Sequence, residues 1–226
     1  MKHTFILMVM MAFCMGGIAH AEMPNGEYLA GKDSTSAVIL AHGRGQGPDS
    51  QVVGPLRKGI NKELGFHTLS LQMPVLSSTN YLDYARTFPE AFKAIQTAID
   101  YLTTEKSVKR IYLMGYSMGA RMTTAFIVEK PTPVIVGYIG VGLLEGGGAP
   151  LDANQNLSGI RLPVVDIFAD KSQLDLKSAE NRRSMASDTF RQIRMAGAEH
   201  SFRGYDDQIV RAVVEWLKEQ ERRTPR

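Results

Sequence analysis

An apolar strand, a glycine-flanked turn and a helix follow one another within residues 110–129, and this succession restricts the folds open to the chain. Ile111-Tyr112-Leu113-Met114 is a short run rich in β-forming residues. Gly115-Tyr116-Ser117-Met118-Gly119 comes next, and residues of helical character run from Ala120 to Glu129. A serine between two glycines at this spacing has a chemical use. Its hydroxyl is a weak nucleophile unless a base can reach it and a carbonyl can approach. A tight turn lifts Ser117 clear of the strand and the helix, and side chains at positions 115 and 119 would crowd that turn. The helix starting there aims backbone N–H groups at the place where negative charge develops on a substrate oxygen.

The rest of the chain agrees with a single domain. It has 226 residues, 44% of them hydrophobic, enough to bury a full core. The net charge is +3, with acids and bases interspersed and no basic stripe carrying aromatics, which argues against nucleic acid as a partner. Lys2 and His3 precede an apolar run from Phe5 to Ile18, and Ala19-His20-Ala21 is an A-x-A cleavage signal. The run is short of the ~20 residues a spanning helix needs. Residues 1–21 are therefore expected to be a signal peptide removed after Ala21, leaving 22–226 as one domain in the periplasm or outside a bacterial cell, with no stable membrane insertion. Cys14, the only cysteine, leaves with that segment, so the mature chain has no disulfide and no thiol chemistry.

Strand and helix patterns alternate from residue 37 onward. A short edge strand is expected at Tyr28-Leu29-Ala30 and a buried parallel strand at Ala37–Ala41, ending in the loop His42–Gly47. Residues 52–64 place Val53, Leu56, Ile60 and Leu64 on one helical face, and Gly65 stops the helix. A strand at Phe66–Leu71, a loop or short excursion at 75–87 and a helix at Phe88–Leu102 precede the Ser117 turn. Beyond it lie a strand at Val134–Val141, a Gly-rich and polar loop to about residue 160, and a strand at Leu162–Phe168. A helix at 176–186, a strand at Phe190–Met195 and a helix at Ile209–Lys218 follow, with a charged, frayed tail from Glu219. Such alternation predicts an α/β fold, with a mainly parallel central sheet and helices on both faces.

Ser117 needs a base, and the base needs an orienting acid. Three histidines remain after signal removal. His67 sits at the edge of a strand without suggestive neighbours and reads as structural. His42 reads as a brace for its own loop. His200 lies after the last strand and before the last helix, where the chain order Ser, Asp, His places a base. The acid is expected in the loop after the strand 162–168. Asp170, two residues beyond that strand, is preferred over Asp175, and Asp166 lies inside the strand. Backbone N–H groups of Met118 and Arg44 are the expected oxyanion donors. The loop 42–47 lacks both the G-K-[ST] ending of a phosphate-binding loop and the G-x-G-x-x-G spacing, which discounts a nucleotide.

Taken together, His42-Gly43 after a strand, Gly115-Tyr116-Ser117-Met118-Gly119, an acid after a later strand and Glu199-His200-Ser201-Phe202 before a terminal helix resemble the α/β-hydrolase superfamily over residues ~37–218. The likeness is to small exported bacterial hydrolases and dienelactone-hydrolase-like esterases without a large cap. It implies a minimal α/β-hydrolase fold and a serine carboxylester hydrolase acting on a small-molecule ester or acylated substrate, with no metal or organic cofactor. Many relatives carry the acid as G-x-x-D after its strand. The matching positions here are Ala169, Asp170, Lys171 and Ser172, so serine stands where the acid is expected. That departure motivates a second expectation, a catalytically weak relative binding an envelope ligand or partner protein. A peptidase on the same scaffold shares the triad. Tyr81, Tyr84 and Phe88 are candidates for an apolar acyl pocket, and Arg44 or Arg121 for an anionic group, although aromatics of the core and salt-bridged surface arginines are the commoner case.

Overall fold

A computed structural model describes residues 20–32, 34–185 and 187–223. The expected signal segment lies outside the described residues, apart from His20 and Ala21. Seven strands form one sheet in the order β1-β3-β2-β4-β5-β6-β7. They are β1 Gly26–Leu29, β2 Ser36–Ala41, β3 His67–Leu71, β4 Arg110–Tyr116, β5 Ile135–Val141, β6 Val164–Ala169 and β7 Phe190–Met195. Only β1, at the edge beside β3, runs antiparallel; the other neighbours are parallel. The helices are α1 Val53–Leu64, α2 Phe88–Glu105, α3 Met118–Glu129, α4 Ala153–Gly159, α5 Gln173–Asn181 and α6 Asp206–Arg223.

The sheet separates two apolar layers. Strand side chains alternate between them: Ala37, Ile39 and Ala41 face one side, Val38 and Leu40 the other. The first layer packs on α2, α3 and α4 through Ile95, Phe126 and Leu157. The second packs on α1 and α6 through Leu56, Ile60, Val213 and Trp216. These two helices lie so close that a Cβ at Gly59 would fall 2.4 Å from Val210 Cγ1. On the α2–α4 side, Asp166 and Gln192 alternate with the core residues Val164 and Phe190, and α5 covers them.

Three helix ends obey local rules. Gly65 closes α1 in the left-handed conformation with φ 66°. The Asp152 and Ser172 side chains accept N–H groups of the first turns of α4 and α5. Three expectations need correction. The loop 75–87 contains a 3-10 stretch at Tyr81–Thr87. The polar segment before residue 160 contains α4, a short helix with its own cap. The expected frayed tail is helical through Arg223, because its charges find partners on β4, on β7 and within α6 itself. Glu221 accepts from Tyr112 Oη (2.8 Å) and Arg110 Nε (3.2 Å), and Glu219 pairs with Arg191 and Arg223 at 2.8 Å.

Strand order reverses between β2 and β4. From β2 the chain moves out to β3 and then returns to β4 on the other side of β2, so the connections leaving these neighbouring strands diverge. In an open α/β sheet this divergence opens a crevice beyond the carboxyl ends of the strands. The loop 42–47 leaves β2 there, and Ser117 leaves β4.

Candidate active site

Ser117 has φ 53°, a backbone region that residues other than glycine rarely enter. The flanking glycines explain how the turn is tolerated. A Cβ at Gly115 would lie 2.3 Å from Thr123 Oγ1 and 2.4 Å from Ala120 Cα. One at Gly119 would lie 2.3 Å from Ala41 O and 2.5 Å from His42 O. The first clash would push α3 off β4, and the second would push it off the end of β2. The Ser117 N–H donates to Val141 O at 3.0 Å, which ties the turn to β5.

His200 reaches the serine from the loop between β7 and α6. Its Nε2 is 2.9 Å from Ser117 Oγ. Its Nδ1 is 2.7 Å from Asp175 Oδ2. The carboxylate can only accept, so Nδ1–H donates to it, and Nε2 is left to accept the serine hydroxyl proton. Tyr116 stacks on the imidazole, with ring centroids 5.8 Å apart, and its hydroxyl donates to His200 O at 3.0 Å. Burial pushes the Tyr116 phenol up to about 12. Gly142, the residue after β5, has φ 58° and backs the imidazole, and a Cβ there would sit 3.1 Å from His200 Cε1.

The structure brings Ser117 and His200 together and sets Asp170 apart from them. Asp170 faces the other way, accepting from Arg194 Nε at 2.8 Å and from the Gly197 N–H at 2.6 Å. Arg194, followed by Gly197, holds its carboxyl below the usual carboxylate range. Asp175 is fully buried at the third position of α5. The physical reason is the cap. Ser172, in the position where relatives carry the acid, caps a helix, and the first turn of that helix swings Asp175 under His200. The far end of α5 is anchored too. Arg182, its C-terminal cap, makes two 2.7 Å bonds to Asp166 on β6, and both residues are fully buried. Arg182 also donates to Leu143 O at 3.2 Å and to Asn154 Oδ1 at 3.1 Å.

Met118 begins α3 and Arg44 lies in the β2–α1 loop. Neither backbone N–H has a hydrogen-bond acceptor among the described residues, and both residues line the cavity over Ser117. The first N–H groups of a helix lack intrahelical acceptors, so Met118 is available to an oxyanion. His42 holds the other loop. It is 2% exposed, and its Nε2 accepts the Met73 N–H at 3.0 Å, which leaves Nδ1–H to donate to Gly43 O at 2.8 Å. Burial lowers its pKa below the ordinary imidazole value. His67 likewise accepts at Nδ1 from Tyr28 Oη (2.6 Å) and from the Gly31 N–H (3.1 Å), far from the serine.

The cavity over Ser117 has a volume of about 590 Å³. Tyr81, Leu144 and Leu174 give it apolar walls. Of the other aromatic candidates, Tyr84 is fully buried with its hydroxyl on the Leu76 N–H, and Phe88 is 3% exposed in the core. Arg121 is 5% exposed and makes no salt bridge among the described residues. It donates to the carbonyls of Gly146 (2.7 Å), Glu145 (3.0 Å) and Leu151, and its guanidinium stacks 5.0 Å from the Tyr81 ring. It braces the wall formed by residues 144–151, and burial lowers its pKa. Sequence reasoning did not find Leu174 or Lys177 as lining residues. Their only signal was their place on segments that follow the carboxyl ends of strands.

Solved structures share this fold at low sequence identity. Est1E from Butyrivibrio proteoclasticus superposes with a TM-score of 0.67 at 15% identity, covering 83% of this chain and 89% of its own. It has also been solved with ferulic acid bound. A dienelactone hydrolase from Anabaena variabilis gives 0.67 at 18% identity, covering 85% and 89%. An α/β serine hydrolase without a lid, from Xanthomonas campestris, gives 0.60 at 16%, covering 90% and 89%. The chain thus has the α/β-hydrolase fold without a lid. No curated protein matches it. Residues 83–219, from the 3-10 stretch to α6, match the model described as Protein of unknown function (DUF3530), and the chain belongs to that family.

Proposed function

We propose that the protein is a serine hydrolase that cleaves a carboxylic ester through an acyl-enzyme. The observation that carries this reading is the chain Ser117 Oγ–His200–Asp175, with contacts of 2.9 and 2.7 Å. Ser117 attacks the acyl carbonyl while His200 Nε2 takes its proton. The Met118 and Arg44 N–H groups receive the oxyanion, an interaction whose loss typically costs about 10²–10³ in turnover. His200 then protonates the departing alcohol and afterwards activates the water that releases the acid. Asp175 holds the imidazole in its tautomer and stabilises the imidazolium. The lidless neighbours, and the ferulic acid bound to Est1E, support an ester of a small carboxylic acid as substrate. The A-x-A segment at residues 19–21 supports action in a bacterial envelope after signal removal. The alternative of an inactive binding module was motivated by the serine at position 172, and it loses that ground with Asp175 on His200.

The test is the intact mass of the mature protein after treatment with a fluorophosphonate, beside Ser117→Ala. Stoichiometric labelling of the wild type alone, together with hydrolysis of short-chain 4-nitrophenyl esters, is the expected result. A folded wild type that neither labels nor hydrolyses would overturn the reading.

A further inference from the structure

Three cations and one carboxylate line the cavity over Ser117: Arg44, Arg121, Lys177 and Glu145. The carboxylate is occupied by the side-chain amides of Asn154 (3.1 Å) and Asn181 (2.8 Å). Nearby aspartates are engaged as well. Asp152 accepts the Gly146 and Gln155 N–H groups, Asp170 accepts from Arg194, and Asp175 lies on His200. None of the three cations has a carboxylate within ion-pair distance among the described residues, whereas Arg57, Lys58, Arg110, Arg182, Arg191 and Arg194 all do. Arg121 is committed to carbonyls, and Arg44 gives one N–H to Thr79 O. Lys177 is exposed on the rim without a hydrogen-bond partner among the described residues.

An exposed lysine is usually a solvated surface charge, so position decides the matter here. Lys177 lies one helical turn from Leu174, which is 68% exposed on the same rim, and Tyr81 and Leu144 continue the apolar lining. Three cations against the one Glu145 carboxylate leave the lining with a net positive charge, and a low-dielectric cleft focuses such a field on whatever enters. Apolar wall and uncompensated cations share one opening, above a serine poised for acyl transfer.

We infer that the ester taken by this site carries an anionic group, a carboxylate or a phosphate, which Lys177 and Arg44 hold at the rim while its apolar part lies against Tyr81, Leu144 and Leu174. The inference rests on the hydrolase reading of the same site. Roughly 590 Å³ is the size of a small-molecule pocket.

A matched ester panel tests it. Phenyl pentanoate is the uncharged reference, and the pentanoyl esters of 4-hydroxybenzoate and of 4-hydroxyphenyl phosphate carry the charge on the alcohol. The 4-nitrophenyl monoester of glutarate, against 4-nitrophenyl pentanoate, carries it on the acyl side. At low salt a charged ester is expected to exceed its uncharged reference about tenfold in kcat/KM, mainly through KM, with the gap narrowing as salt rises. The better of carboxylate and phosphate identifies the group. Lys177→Gln should cut the preference about fivefold and Lys177→Glu should abolish it, each read as the ratio of kcat/KM for a charged ester to that for its uncharged reference in the same variant. Binding to Ser117→Ala provides a readout independent of turnover, and the preferred charged ester should bind it more tightly than the uncharged one. Wild type that hydrolyses uncharged esters at least as well as every charged one overturns the inference and leaves the hydrolase reading intact. So does a preference unchanged in Lys177→Glu. Selective binding of a charged ester to Ser117→Ala, lost in Ser117→Ala/Lys177→Glu, with no turnover by wild type, supports the inference and overturns the hydrolase reading.

Discussion

Ser117 and Asp175 meet the same histidine from two differently built places. The serine stands on a turn between consecutive elements, β4 and α3. Its geometry follows from close contacts involving Gly115, Gly119, Ala120 and the end of β2. The acid stands on α5, and its position depends on an N-cap at Ser172 and on Arg182 at the other end, which reaches back to Asp166 on β6 and across to Leu143. One half of the site is thus set by close packing that only glycine permits, and the other by polar contacts between residues far apart in the chain. A requirement for glycine leaves a fixed sequence signature. Long-range polar anchoring does not.

The sharpest way to break this comparison is to cut the α5 anchor. Arg182→Met leaves the Asp166 carboxylate buried without its cation and is expected to cost about 3–5 kcal/mol of stability. Asp166→Leu/Arg182→Met, with both charges gone, should recover most of it. Urea unfolding of the two variants would show this, and equal midpoints would contradict the assignment of the loss to an unpaired charge. The elbow should respond less in stability. Gly119→Ala forces a Cβ against Ala41 O and is expected to cost about 1–3 kcal/mol, with loss of fluorophosphonate labelling because Ser117 moves with α3. Labelling at the wild-type rate would mean that the turn has room the contact distances deny. Ser172→Ala removes the cap of α5 and should cost about 1 kcal/mol, visible as a lower melting temperature. An unchanged melting temperature would show that the cap is dispensable.

The smallest effect concerns acid, and it involves the buried histidines His42 and His67. Burial lowers the pKa of His42 and of His67 below the ordinary 6.5. Below 6.5 the unfolded chain binds protons that these folded rings refuse, so folding stability is complete above that pH and falls as pH drops toward the lowered folded values. His67→Gln should flatten the decline in melting temperature between about pH 6.5 and pH 5. A slope identical to wild type would remove His67 from the account.

How far the sequence could be read follows the same division. The strands at 37–41 and 111–114 were legible because their residues are apolar throughout, and the Ser117 turn because glycine is required on both sides. His200 was legible from chain order. Asp175 stayed second to Asp170 because distance from the strand end was the only guide, and nothing local says that Arg194 and Gly197 claim Asp170. The same holds for α4, a short helix on a single Asp152 cap, and for the tail of α6, which Arg110, Tyr112 and Arg191 hold in place from β4 and β7. Arg121 was expected to be salt-bridged or to meet substrate. It spends its donors on carbonyls of a Gly-rich loop whose path the sequence does not specify.

The central claim is that Ser117, His200 and Asp175 act as one unit. The most direct measurement is the rate of fluorophosphonate labelling at Ser117 in Asp175→Asn beside Asp170→Asn, both checked for folding by thermal melts. The account predicts a fall of about 10³–10⁴ for Asp175→Asn, where the imidazole loses its tautomer, and a change of less than about threefold for Asp170→Asn. Equal rates in the two variants, or a greater loss in Asp170→Asn, would contradict it.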